Sequence, residues 1–116
     1  MIEIKIITAY PDMFPGTLGH SLIGKALKEQ KWSLEIIDLH NFGYDERKKI
    51  DDEPFGGGPG MVLRPDVVEK ALASIKYKEN MRREFIYMSP SGKPLKQLNL
   101  AEFSQYHQLV ILCGRF

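Results

Sequence analysis

Close to its carboxyl end the chain reads QLVILC, residues 108–113, a nearly unbroken apolar run. A run this short is a strand, and its lack of polar alternation means that both of its faces must be covered. That demand selects a parallel sheet with layers on each side, and parallel neighbours have to be joined by long crossovers. The rest of the chain supplies them. IEIKIITA, residues 2–9, is β-branched and alternating and reads as the opening strand. Leu18, Leu22, Ile23, Ala26 and Leu27 recur at helical spacing, with Thr17 as the N-cap. WSLEIIDLHNF, residues 32–42, is a second strand with its apolar core at Leu34, Ile36, Ile37 and Leu39.

A long polar stretch follows, from Gly43 to Gly60, without any apolar period. Pro65 then opens a helix, Asp66 favours its dipole, and Val67, Val68, Ala71, Leu72 and Ile75 form one apolar face. EFIYMS, residues 84–89, is a third strand ending in the turn PSGKP, and a helix from about Leu95 to Tyr106 leads into QLVILC. Strands alternating with helices specify an α/β layered fold built on a parallel sheet. No internal repeat, low-complexity tract or linker interrupts it. The expectation is one small domain over residues 1–116.

Charge and cysteine usage narrow the function. A net charge of +1 excludes a strongly basic domain, so a nucleic acid would have to be met through a local basic patch or a second chain. A single cysteine, Cys113, excludes a disulfide framework and a cysteine-rich zinc site. MIEIKIITAY lacks the basic start and cleavage site of a signal peptide, and no segment is long and apolar enough for a membrane span. A cytoplasmic, soluble protein is expected.

The chemistry must then sit in the loops. DDEPFGGGPGM, residues 51–61, is glycine-rich but has neither Gly-x-Gly-x-x-Gly spacing nor a Walker-type lysine, so it is not a phosphate cradle of known type. YMSPSGKP and CGRF each place a glycine, Gly92 and Gly114, just after a strand. Glycine there either permits a tight turn or lets bared backbone amides approach a ligand. His20, His40 and His107 fit no ligand spacing and read as surface or helix-end residues, and Cys113 reads as a small core residue. DERKK, residues 45–49, is either a solvated loop or a set of nucleic-acid phosphate contacts through Arg47, Lys48 and Lys49. Met81, Arg82 and Arg83 read as plain surface.

Taken together and in this order, YPDMF, DDEPFGGGPGM, YMSPSGKP and LCGRF resemble the bacterial tRNA (guanine-N1)-methyltransferase family, along essentially the whole chain. The resemblance implies a SPOUT-class α/β domain with a carboxyl-terminal trefoil knot that holds S-adenosylmethionine, and a homodimer whose subunits complete each site. It implies methylation of N1 of the guanosine 3′ of the anticodon in tRNA. Carried over by motif, the donor loops fall on Tyr87, Met88, Ser89, Pro90 and Gly92, and on Gly114, Arg115 and Phe116. Phe116 and Phe55 stand where the family more often has tyrosine, which keeps ring area and removes a hydroxyl. The target-nucleotide side falls on Asp51, Gly58, Pro59 and Gly60, with Gly56 and Gly57 also letting backbone pass close to a flipped base. Asp51 either accepts from the guanine edge or caps the loop; Asp52 reads as a cap.

On the family pattern the chain ends before the knot is completed. The family's general-base aspartate, its interdomain linker and its carboxyl-terminal tRNA-binding domain would all fall past Phe116. The expectations are therefore no methyl transfer by the chain alone, a central QLVILC strand, and bare apolar surface. No metal is required, because the methyl donor is a sulfonium. The competing reading is a non-catalytic α/β binding or dimerisation module with glycine-rich loops.

Overall fold

A computed structural model describes residues 2–43, 50–52, 62–88 and 102–113. In chain order the elements are β1 (Ile2–Thr8), α1 (Ser21–Lys28), β2 (Trp32–Asp38), β3 (Asp51–Asp52), β4 (Val62–Leu63), α2 (Pro65–Ala73), β5 (Arg83–Met88) and β6 (Gln108–Cys113). The chain divides into two compact units. One comprises Met1–Ile37 and Tyr77–Phe116, the other Asp38–Lys76.

The first unit is a four-stranded parallel sheet in the order β2-β1-β6-β5. QLVILC forms β6 and lies inside the sheet, paired in parallel with β1 on one side and with β5 on the other. Leu109 and Val110 are buried there, beside the buried Ile6 and Ile7 of β1. This is the position that its uninterrupted apolar pattern requires. Apolar surface is bare on the edge strand β5, at Phe85, Tyr87 and Met88, and on α1 at Leu22 and Ile23. Lys5 of β1 and Glu35 of β2 pair across the sheet at 2.6 Å.

The first helix departs from its expected start. Thr17 lies in a separate 3-10 turn, Gly16–Gly19, and α1 begins only at Ser21, after His20 and with no side-chain cap. A close backbone approach explains the break. A Cβ on Gly24 would stand 2.3 Å from the carbonyl carbon of Gly19, so the turn and the helix are folded onto each other there. Ser21 takes a positive φ of 61° where the chain passes from one to the other. The apolar period Leu18-Leu22-Ile23 thus spans two segments and not one face, and Leu22 stays 83% exposed.

In the second unit the strand reading of residues 32–42 is also corrected. The Asp38 carboxylate accepts the His40 backbone N–H at 2.9 Å and turns the chain into a 3-10 segment, Leu39–Phe42. Leu39 becomes fully buried in that segment, which packs against α2. Of the face expected of α2, Val67 and Ala71 are buried, as is Ile75 just past the helix, while Val68 and Leu72 are half-buried. Proline sits at its first turn, and Arg64 grips Asp66 through Nε and Nη2 at 3.0 and 3.1 Å. That hydrogen bond holds the Asp66 carboxyl below its ordinary range.

The polar stretch after Gly43 contains a feature that no period announced. Asp51 pairs with Leu63 and Asp52 with Val62 in a short antiparallel ladder, extended by the Arg64 N–H bonding to the Ile50 carbonyl at 2.8 Å. The two ends of the glycine-rich stretch are therefore tied together. The turn PSGKP and most of the helix expected over 95–106 lie outside the described residues. At the end of that helix Gln105 and Tyr106 donate their N–H groups back to Glu102 and Phe103.

Candidate functional site

Parallel pairing decides where the strand-end loops of the first unit can meet. Cys113 is in register with Thr8 of β1 and with Met88 of β5, so the three carboxyl ends form one row. Neighbours in such a row stand about 4.8 Å apart. β5 and β6 consequently end at the same edge of the sheet, as does β1, which YPDMF follows. In open parallel sheets this edge is where ligand crevices form.

The described part of that edge is built from the following side chains. Thr8 is buried, and its Oγ1 accepts the Tyr10 N–H at 3.1 Å, which turns the chain away from the strand. Pro11–Met13 continues as a 3-10 turn, closed by Met13 N–H to the Tyr10 carbonyl and Phe14 N–H to the Pro11 carbonyl, both at 3.1 Å. Tyr10, Met13, Tyr87 and Met88 are all exposed. The rim thus offers ring and thioether surface on both flanks of Cys113. Thr8 was not singled out by the sequence; a hydroxyl two residues before a Tyr-Pro turn is the signal that marks it.

Of the residues carried over to the methyl donor, Tyr87 and Met88 end β5 on this row, while Ser89, Pro90, Gly92, Gly114, Arg115 and Phe116 lie outside the described residues. Of those carried over to the target nucleotide, Asp51 occupies the β3 position opposite Leu63, and Gly58, Pro59 and Gly60 lie outside the described residues. Arg47, Lys48 and Lys49 do so too.

Cys113 is half-buried, and burial pushes its thiol above the ordinary 9.0. The folded state therefore favours the neutral thiol. The stabilising contribution is complete below the unfolded-state pKa and is lost as pH rises through the higher folded-state value. A neutral, partly covered thiol is a poor nucleophile. Native Cys113 should react with iodoacetamide about tenfold more slowly than in denaturant at about pH 8; equal rates would contradict this environment.

The histidines are separate. His40 pairs with Asp38 through Nδ1 at 2.9 Å, His107 accepts the Arg82 backbone N–H at Nδ1 at 2.9 Å, and His20 precedes α1. Among the described residues no group of three His, Cys, Asp or Glu side chains is placed to hold a metal ion. Also among them, no helix is long and apolar enough to cross a membrane. Arg83 is not the plain surface residue expected. It is half-buried, with its guanidinium 4.7 Å from the centroids of both Tyr77 and Phe85.

The family model described as tRNA (guanine-1)-methyltransferase TrmD matches residues 2–116. The chain belongs to this family. Among curated members of the methyltransferase family, the tRNA (guanine-N(1)-)-methyltransferase of Ehrlichia ruminantium (strain Gardel) is 44% identical over 116 residues, covering 100% of this chain and 49% of that protein. The protein of the same name from Rhodospirillum rubrum is 44% identical over 115 residues, covering 99% of this chain and 47% of the relative. That from Cereibacter sphaeroides (strain KD131) is 46% identical over 117 residues, at 98% and 47%. The chain spans about half the length of these curated relatives. The motifs that pointed to the tRNA (guanine-1)-methyltransferases thus lie inside a match that runs the length of the chain.

Proposed function

We propose that the protein carrying this chain, at the length of its relatives, methylates N1 of the guanosine 3′ of the anticodon in tRNA, with S-adenosylmethionine as donor. The observation that carries the reading is family membership joined to the Thr8–Cys113–Met88 row. The row gathers at one sheet edge the strand ends that precede three of the motifs, YPDMF, YMSPSGKP and LCGRF. The donor brings an electrophilic methyl on a sulfonium and needs no metal.

The residues of this chain then divide by role. Tyr87 and Met88 give the apolar, adenosyl-bearing part of the donor a surface to lie on, as their exposure allows. Backbone amides after Ser89 and at Gly114 to Phe116 donate to its polar groups. Asp51, at the head of the tied β3–β4 stem, and Gly58, Pro59 and Gly60 serve the guanine. Guanine N1 carries a proton at neutral pH, so a base must accept it as the methyl arrives; the family's base is an aspartate of the part lying past Phe116. In this reading the protein is cytoplasmic, forms a homodimer of the SPOUT knotted class, and grips tRNA partly through a carboxyl-terminal domain.

The test is a hybrid in which this chain replaces the matching segment of the Rhodospirillum rubrum protein. Mass spectrometry of digested tRNA should show N1-methylguanosine after incubation with donor. A folded hybrid that binds tRNA but produces none would overturn the proposal. In the same hybrid, Tyr87→Ala should weaken S-adenosylmethionine binding about tenfold by calorimetry. An unchanged affinity would remove Tyr87 from the donor site.

A further inference from the structure

We propose that Arg83, clasped between Tyr77 and Phe85, binds a phosphate of RNA on a face at the amino end of β5, away from the donor row; this rests on the reading that the substrate is tRNA. Arg83 is the first residue of β5 and pairs with Gln108, whereas Met88 and Cys113 mark the opposite end of the same strands. A strand of that length separates the two places by roughly 16 Å.

The guanidinium itself carries the argument. Its Nε and Nη2 are buried and have no hydrogen-bond partner among the described residues. These two nitrogens share one edge of the planar group, the edge that presents two parallel N–H donors to the oxygens of a phosphate or carboxylate. A buried cationic edge without an acceptor calls for explanation, and an anion supplied on binding gives one. Stacking against two rings fixes the plane of the fork before any ligand arrives. The rings of Phe85 and Tyr77 are 53% and 48% exposed, so a rotamer change at either uncovers the fork.

The surroundings select RNA over an acidic protein. Exposed ring faces next to a stacked arginine are what unpaired bases stack on, while a carboxylate would use the fork and leave the rings in water. A second guanidinium, Arg82, lies 5.6 Å from the ring of Tyr106 in the same short region. The Tyr106 hydroxyl donates to Glu84 at 3.1 Å, which fixes that ring and raises the phenol pKa. Two consecutive arginines, Arg82 and Arg83, are thus each set against aromatic rings.

The experiment is fluorescence anisotropy of a labelled anticodon stem-loop RNA with the 116-residue chain. Titrations are run at about 50 mM and about 200 mM salt, because phosphate contacts are read from the salt slope. Arg83→Lys keeps the charge and removes the fork; it should weaken binding about tenfold and make the logarithmic salt slope shallower by about one. Phe85→Ala should also weaken binding about tenfold, through lost stacking. Circular dichroism melts establish that each variant is folded. On the unaltered chain, RNA should shift the Arg83 Nε–H resonance in a nitrogen-proton correlation spectrum, which holds even if a variant fails to fold. Absence of RNA binding, an unmoved Arg83 resonance, or unchanged affinity and slope in folded Arg83→Lys would overturn the proposal. So would an Asp-rich peptide that binds more tightly than RNA through Arg83. N1-methylguanosine formation by the hybrid protein reports separately. If it persists while Arg83 proves indifferent to RNA, only the Arg83 assignment falls; if it is absent while Arg83-dependent RNA binding stands, only the methyl-transfer reading falls.

Discussion

Val110→Asp is expected to leave the chain without a cooperative folded state at room temperature. Val110 is 1% exposed and sits inside the sheet on β6, with Lys5 of β1 and Phe85 of β5 as its register partners. A carboxylate at that point is enclosed in the core, among backbone already committed to the two ladders. It must stay ionised without a partner or take up a proton against its preference, and an uncompensated buried charge costs on the order of 3–5 kcal/mol. Domains of this size are stable by only about 5–15 kcal/mol, and the substitution also removes the burial of the valine itself. The far-UV circular dichroism of Val110→Asp should therefore lack a sigmoidal melt, while Val110→Thr, which keeps the shape, should retain one at reduced temperature. A native-like melt for Val110→Asp would mean that β6 is not enclosed by β1 and β5.

Gly24→Ala should be nearly as damaging for a different reason. The added methyl would lie 2.3 Å from the Gly19 carbonyl carbon and 2.4 Å from its oxygen, both of them backbone atoms. No side chain can move aside, so the 3-10 turn and α1 must separate. Forced overpacking of this kind costs about 3 kcal/mol, or roughly 12 °C in melting temperature for a domain of this size. Gly16 provides the comparison. It holds a positive φ of 55°, and a methyl added there would meet nothing within 4 Å, so Gly16→Ala carries only conformational strain. That strain is about 1 kcal/mol. Equal melting temperatures for Gly24→Ala and Gly16→Ala would dismiss the backbone contact as the cause.

The contrast between those glycines shows what a sequence conceals. Gly24 falls inside an apolar period that suggests one continuous helix, and only the contact with Gly19 reveals two segments. The end of β2 was hidden similarly, because Leu39 continues the strand's apolar pattern while Asp38 turns the backbone through a hydrogen bond to His40. The β3–β4 pair, two residues on each side, is too short to leave a period at all. The parallel sheet, by contrast, could be read directly, since six consecutive residues of Gln108–Cys113 carried the demand for cover on both faces. Periodicity also marked the buried positions Val67 and Ala71 of α2 and Ile75 just past its end. The site is a different matter. Nothing in the spacing of Thr8, Met88 and Cys113 announces that they form one row; strand order and direction bring them together. The motif likeness marked Tyr87 and Met88, whereas the stacked Arg83 had no motif and emerged only from its two rings.

The pairing of β1 with β6 has a consequence for how the protein is made. Glu3 and Gln108 are joined by a side-chain hydrogen bond across 105 positions of sequence. A ribosome emits residues from the amino end at about 5–20 per second, so β1 is in solution for several seconds before its partner exists. During that interval an apolar edge is open to other nascent chains, and closing so large a loop is slow even afterwards. Assembly of the Thr8–Cys113–Met88 row thus waits on QLVILC, and the early chain keeps an uncovered apolar edge until that strand arrives.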